Sequence, residues 1–236
     1  MMPTIRDDLN DFISEGLVAD IFIMERSYNL LVTIGKNAVL LNQKHGSNFG
    51  IFFGTIQDSL KTSAILAASH LYDSSSNRYP TRCIPRVLDF LETNCEKLPT
   101  IEQVRIVQAD LRRLGFSDTD IDLVSSDGPA FAKALVSHFK EILKHEKTDE
   151  AITALKNIRD KAIAHNEQST EIVGPTWEKL LGLIEIAKNF VGILGWAYLN
   201  TAYVHNGKHV LSEDAEIPTR ALKRLIESVY GSGQVV

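Results

Sequence analysis

An arginine, an aspartate and a histidine stand close together in the segment IRDKAIAHNE, residues 158–167. Asp160 directly follows Arg159, and His165 comes six positions after the arginine. A guanidinium binds phosphate through paired, charge-assisted hydrogen bonds. An imidazole, with an ordinary pKa of about 6.5, exchanges protons near neutral pH. These residue types therefore allow acid–base chemistry on a phosphate-containing substrate, such as the cleavage of RNA.

The segment that carries these residues has the pattern of an amphipathic helix. Apolar residues recur every three or four positions from Ile152 to Ala162, which predicts a helix over 148–164. At about 100° per residue on such a helix, His165 lies almost under Ile158, and Arg159 lies about 120° away from His165. Both side chains would border the seam with a neighbouring helix, and a helix end favours protonated histidine.

The same residues also have a structural interpretation. Arg159 and Asp160 would then be a solvated charge pair on the shoulder of a helix, and His165 a C-terminal cap or a satisfied core histidine.

Composition excludes several function classes. The chain has 236 residues, 44% of them hydrophobic, and a net charge of −5, which argues against a protein that coats nucleic acid through bulk charge. Two cysteines, Cys83 and Cys95, make neither a disulfide framework nor a CxxC metal pair, and we expect buried, reduced thiols. The N-terminus lacks the pattern of a signal peptide. We therefore expect a cytoplasmic protein with no membrane segment.

Helical periodicity runs along nearly the whole chain, and no segment shows sustained strand-like alternation, so we predict an all-α, multi-helix bundle. Its helices are expected at 4–25 and 27–43, 49–73, 83–94, 100–114 (capped by Thr100 and ended by Gly115), 129–146, 148–164, 175–204 and 218–230. The acidic, turn-rich stretch 117–129 is expected to be a loop or hinge. We predict one domain, 1–236, with a helical N-terminal part (1–116), a motif-bearing part (127–236) and no firm boundary between them.

The helix at 175–204 carries two adjacent apolar stripes. Its segment 180–199 is long enough to span a bilayer, but Glu185, Lys188 and Asn189 interrupt it, and such groups are costly at membrane depth. We interpret it as a buried helix. Either both stripes lie in the core of the chain, or one of them contacts a partner chain.

The motif resembles the signature of HEPN domains. Arg159-Asp160-Lys161-Ala162-Ile163-Ala164-His165 has the arginine, the polar neighbour and the spaced histidine of that signature. Its surroundings, LKNIRDKAIAHNE, are most similar to the AbiU-type abortive-infection branch. The predicted helix that ends in HLYD (70–73) fits the same branch more loosely.

This resemblance implies a bundle that forms a homodimer through its long helices, and a metal-independent RNase centre where two motifs meet. His165 would be the general base on the ribose 2′-hydroxyl or the proton donor to the leaving oxygen. Arg159 would hold the scissile phosphate, and Asp160 would orient one of the other two. Only RNA has the 2′-hydroxyl nucleophile. The resemblance also implies RNA contacts at Lys156, Lys161 and Asn166, a possible antitoxin partner, and neither metal nor cofactor.

Two alternatives remain open at this point. The chain would otherwise be a non-catalytic HEPN module that binds RNA, a nucleotide or a partner protein, or a helical scaffold in which the motif is accidental. Acidic residues offset the nearby lysines, and no basic run with interleaved aromatic residues occurs. His205 and His209 have a helical metal-ligand spacing but too few companions for zinc. The scattered histidines are expected to be structural: His45, His70, His138 and His145.

Overall fold

The computed structural model describes residues 4–43, 47–74, 81–164, 174–205 and 208–230. Within these ranges the chain is almost entirely helical, and a single two-stranded hairpin is the only sheet. The predicted all-α bundle is therefore confirmed.

The first half of the chain begins with a long, nearly continuous helix. Its helices are α1 (Ile5–Asn10), α2 (Val18–Lys36), α3 (Ala38–Gln43), α4 (Ser47–Leu71), α5 (Ile84–Thr93) and α6 (Val104–Arg113). A π-helical segment, π1 (Asp11–Leu17), joins α1 to α2, and a 3-10 turn (Cys95–Lys97) follows α5. Thr4 begins the first helix, because its side chain and that of Asp7 form a reciprocal capping box.

The second half carries two further π-helical segments. Its elements are α7 (Asp118–Ser126), α8 (Gly128–Lys144), α9 (Glu146–Asn157), π2 (Ile158–Ala164), α10 (Trp177–Leu194), π3 (Gly195–Leu199), β1 (Val204–His205), β2 (Lys208–His209), α11 (Val210–Ala215) and α12 (Ile217–Tyr230). The π segments π2 and π3 directly continue α9 and α10, so each forms the last turns of a longer helix.

The predicted loop at 117–129 is wrong, because most of it forms α7. The Ser117 hydroxyl accepts a hydrogen bond from the backbone N–H of Asp120, and Asp118 and Asp120 lie in the first turn. Acidic side chains there face the positive end of the helix dipole. The residues that resembled a turn are therefore an N-terminal cap, and the helix buries Ile121 and Val124 in the core.

Two helix ends also differ from the prediction. Thr100 does not cap α6, which begins at Val104 without a side-chain cap, whereas Gly115 follows it as expected, at a φ of 80°. The helical run that was expected to reach residue 204 ends at Leu199, where Asn200 adopts a left-handed conformation. The short antiparallel hairpin β1–β2 follows and pairs Val204 with His209.

Helix α10 lies in the middle of the bundle. Both of its apolar stripes are buried, and Phe190 contacts Phe139 of α8 with ring centroids 4.7 Å apart. The run Trp177–Leu199 is long and apolar enough to cross a membrane, yet 67% of its most apolar window is buried inside the protein. This confirms the interpretation of a buried helix. It also means that α10 has no second apolar stripe left for a partner chain.

A charged network joins α10 to α2 and α11. The ammonium of Lys188 lies 2.9 Å from Glu25 Oε1 and 2.9 Å from Glu185 Oε2. The Ser212 hydroxyl donates to Glu25, and His209 contacts Glu185 at 3.1 Å. Hydrogen bonds from His209 and Lys188 lower the pKa of Glu185 to about 2. The network therefore stays charged and fixes the C-terminal helices to the core.

Lys188→Met should destabilise the protein by about 3 kcal/mol, because removal of one member of a mostly buried ion pair leaves the other charge unpaired. Only about a tenth of the Lys188 and Glu25 side chains is exposed. Urea unfolding at pH 7 measures the change in the free energy of unfolding.

Lys179→Met is the matched control on the same helix, since Lys179 pairs with Glu150 at the surface. We expect it to change the free energy of unfolding by less than about 0.5 kcal/mol. Equal effects of the two substitutions would contradict this account of the network.

Candidate functional site

The motif residues lie on π2, the continuation of α9. In a π-helix the backbone bonds run from residue i to i+5, so the ideal α-helical angles used above do not apply within this segment. Arg159 lies at the start of π2 with 21% of its side chain exposed. The arginine is therefore held at an interface between helices and is not on an open surface.

Two carboxylates hold the guanidinium of Arg159. Its Nη1 lies 2.9 Å from Oδ1 of Asp73, and its Nε lies 2.7 Å from Oδ1 of Asp160. The bond with Asp160 is the main cause of a raised pKa of Arg159, and Asp73 adds to it. The structure thus brings together two of the three predicted catalytic residues, and it adds Asp73 as a partner from another helix.

The other predicted site residues are placed as follows. Lys156 is in the last turn of α9 and Lys161 in π2, and both are partly buried. His165 and Asn166 lie outside the described residues. The chain is described again from Gly174, where a Cβ would collide with the Ile158 side chain. Gly174 therefore lies beside the start of π2.

Asp73 is positioned by the buried end of α4. Leu71 and Tyr72 are buried, whereas His70 is exposed and Asp73 is partly exposed. The Tyr72 hydroxyl donates a hydrogen bond to the backbone carbonyl of Leu183 on α10. Because Tyr72 is anchored on the inner side, its neighbours are held on the outer side, and Asp73 meets Arg159 there.

His70 forms a second charged pair at the same place. Its Nδ1 lies 3.2 Å from Oδ1 of Asp20 on α2. The pKa of His70 is raised above its usual value, chiefly by the hydrogen bond with Asp20 and against the effect of burial. Asp73 raises this pKa further and Arg159 lowers it. His70 was expected to be structural, yet 56% of its side chain is exposed beside the motif arginine.

A groove of about 600 Å³ is lined by Asp20, His70 and Asp73. Its walls are π1, the start of α2, the end of α4 and the residues before α5. Three of the lining carboxylates are paired with cations: Asp11 with Arg82 at 2.8 Å, Asp20 with His70, and Asp73 with Arg159. The groove is therefore much less anionic than its carboxylates alone would make it.

Gly16 allows the wall of this groove to form. A Cβ at this position would collide with the side chain of Arg82, which crosses π1 to make two hydrogen bonds with Asp11. A side chain here would push Arg82 outward and break that pair. Close packing against Arg82 therefore explains why a glycine stands in the middle of a helical segment.

The remaining histidines have structural surroundings or lie at the surface. His138 stacks on Phe116 with ring centroids 3.8 Å apart, and burial lowers its pKa. His145 is exposed, and His45 lies outside the described residues. His209 contacts Glu185, and no group of three or more potential metal ligands exists in the part of the chain that the structure describes. Cys83 and Cys95 are buried free thiols, as expected.

Sequence reasoning did not identify Asp73 or His70 as parts of the site. Both lie far from the motif along the chain, and no spacing rule connects them to it. The only signal was the end of a predicted helix at HLYD, where two apolar residues stand between two polar ones. Because Leu71 and Tyr72 are buried, this order leaves His70 and Asp73 together on the outer side of the helix end.

Comparison with known proteins finds one family. The family model for AbiU2, a group of HEPN domains, matches residues 7–224. The match includes both halves of the site, from π1 to π2. Searches with the chain among curated proteins and among solved structures find no significant match.

The pair between Arg159 and Asp73 should contribute more to stability than the pair between Arg159 and Asp160. Asp73 is 27% exposed and joins two helices, whereas Asp160 is 54% exposed and adjacent in sequence. A double-mutant cycle with Arg159→Ala and Asp73→Asn should give a coupling of about 1 kcal/mol in urea unfolding.

The same cycle with Asp160→Asn serves as the control, and we expect a coupling of less than about 0.5 kcal/mol. A larger coupling for Asp160 than for Asp73 would show that the contact between helices does not position the arginine.

Proposed function

Because the chain belongs to the AbiU2 family of HEPN domains, we propose that it is a metal-independent endoribonuclease. The 2′-hydroxyl of the substrate attacks the adjacent phosphate, and the products carry a cyclic phosphate and a free 5′-hydroxyl. The observation that carries the proposal is Arg159, a permanently charged guanidinium that is held between two helices by Asp73, a residue that lines a groove.

Arg159 is the phosphate-binding group in this proposal. A guanidinium has five N–H donors in a rigid fork, and the contacts with Asp73 and Asp160 involve Nη1 and Nε. The Nη2 edge is therefore the one that meets a non-bridging oxygen. Charge that develops on the phosphate in the transition state strengthens this contact, which is how a fixed cation accelerates phosphoryl transfer.

The other motif residues have separate roles. His165 removes the proton from the 2′-hydroxyl, and Asp160 orients the guanidinium that it contacts. Lys156, Lys161 and Asn166 bind the RNA backbone near π2. This assignment requires no metal, because the nucleophile belongs to the substrate and proton transfer is carried by imidazole.

The assembly and cellular setting are part of the proposal. The active form is a homodimer in the cytoplasm, part of a defence or toxin system and silenced by an antitoxin protein. Since both stripes of α10 are buried in its own chain, the dimer must use another surface. Exposed apolar side chains occur at the start of α4 and on α12, including Ile51, Phe52 and Leu225.

A second candidate is a non-catalytic module that binds RNA, a nucleotide or a partner protein. One observation favours it: two carboxylates already neutralise Arg159, as in an ion network that only stabilises a fold. The two candidates differ in whether RNA is cleaved.

The purified protein should cleave single-stranded RNA in the presence of EDTA and leave DNA of the same sequence intact. Arg159→Ala and His165→Ala should each reduce the cleavage rate by at least about 100-fold, because each removes one charge-stabilising or proton-transferring group. Gel analysis of end-labelled RNA gives the rate, and a 2′,3′-cyclic phosphate end identifies the reaction.

Arg105→Ala and His145→Ala are matched controls, since both residues are exposed, Arg105 on α6 and His145 in the turn between α8 and α9. Both variants should cleave at the parental rate. Sedimentation velocity on the same samples should show a dimer. RNA that stays intact but is still bound by the parent protein would favour the non-catalytic module.

A further inference from the structure

His70 and Asp20 form a carboxylate–imidazole pair at the groove. Asp20 is only 17% exposed, and its Oδ1 lies 3.2 Å from His70 Nδ1, where a ring N–H donates a hydrogen bond to the carboxylate. A carboxylate on one ring nitrogen fixes the tautomer and the orientation of the ring. Nε2 has no hydrogen-bond partner among the described residues, so it is the nitrogen that can meet a ligand.

The position of His70 relative to Arg159 is set by one turn of backbone. The N–H of Asp73 donates to the carbonyl of His70 at 3.4 Å, and Asp73 holds Arg159 through Oδ1. The Cβ atoms of residues three positions apart on a helix lie about 5–6 Å from each other. Arg159 is also close enough for its charge to lower the pKa of His70, so a phosphate bound to Arg159 would lie near the imidazole.

The charges that face His70 come from every wall of the groove. Asp20 on α2 and Asp73 after α4 stabilise the imidazolium, and Arg159 on π2 opposes it. On π1, Asp11 is paired with Arg82 and Glu15 is exposed. The hydrogen bond with Asp20 outweighs burial and the charge of Arg159, so the pKa of His70 is raised. The imidazole therefore carries a proton at neutral pH more often than a free histidine does.

We propose that His70 is a catalytic residue of the ribonuclease reaction, the general acid that protonates the leaving 5′-oxygen. This inference rests on the function proposed above and deepens it. The 2′-oxygen forms its bond to phosphorus while its proton passes to His165. The bond between phosphorus and the 5′-oxygen breaks, and that oxygen keeps the electron pair and takes the proton from Nε2 of His70.

The assignment gives the reaction an acid that is distinct from the motif histidine. Cleavage of this kind needs a base and an acid at the same moment. In the proposed homodimer, His165 of the second copy is the alternative acid. His70 is favoured because a carboxylate already orients it and it lies one turn from Asp73, which holds Arg159.

Leaving-group chemistry separates an acid from a structural residue. We would compare two RNA oligonucleotides that are identical except for one bridging atom, the 5′-oxygen or a 5′-sulfur at a single cleavage site. A thiol has a pKa of about 8.5 and leaves as a thiolate, so its departure needs no protonation. His70→Ala should slow cleavage of the oxygen substrate by at least about 100-fold and that of the sulfur substrate by less than about 5-fold.

Two other variants provide the matched comparison. His165→Ala should slow both substrates equally, because the base is needed whichever atom leaves. Asp20→Asn removes the group that most raises the pKa of His70. Since the acid works only while protonated, this variant should move the alkaline limb of the pH–rate profile to lower pH.

Each result decides the matter. Equal slowing of both substrates by His70→Ala, or an unmoved alkaline limb in Asp20→Asn, would overturn the role of His70 and leave the ribonuclease proposal standing. Absence of cleavage by the parent protein on both substrates would overturn the proposed function and this inference together.

Discussion

The ion pair between Arg159 and Asp73 is the contact on which the site depends. It joins the end of α4 to π2 across 2.9 Å. It depends on the buried residues Leu71 and Tyr72, which fix the end of α4 to the core. Tyr72 provides that anchor through its hydrogen bond to the carbonyl of Leu183 on the central helix α10. The core of the bundle thus determines where a surface guanidinium lies.

Electrostatics give the groove its chemical character. Carboxylates are numerous around it, but the three that line it near the motif each have a basic partner. Such pairing raises the pKa of both Arg159 and His70 and makes the potential of the groove less negative. An RNA phosphate would bind the Nη2 edge of the arginine while Asp73 and Asp160 keep their contacts with Nη1 and Nε.

Local patterns predicted the elements better than they predicted the site. Helical periodicity identified the all-α bundle, and adjacency in sequence was enough to place Asp160 beside Arg159. The helix α7 was missed because Ser117 and its acidic neighbours resemble a turn when their capping role is not recognised. The contacts of Asp73 and His70 depend on how α4 packs against α2 and π2, and no short-range rule contains that information. The π turn also altered the angles expected around Arg159.

Binding of an RNA that cannot be cleaved tests the central claim most directly, because it isolates the contact between Arg159 and phosphate. A 2′-O-methyl oligonucleotide lacks the nucleophile, and its affinity can be measured over a range of salt concentrations. Arg159→Ala should weaken binding and reduce the slope of log K against log salt by about 0.7, the value for one phosphate on a single strand. Arg105→Ala should change neither. Unchanged affinity and slope in Arg159→Ala would contradict the account.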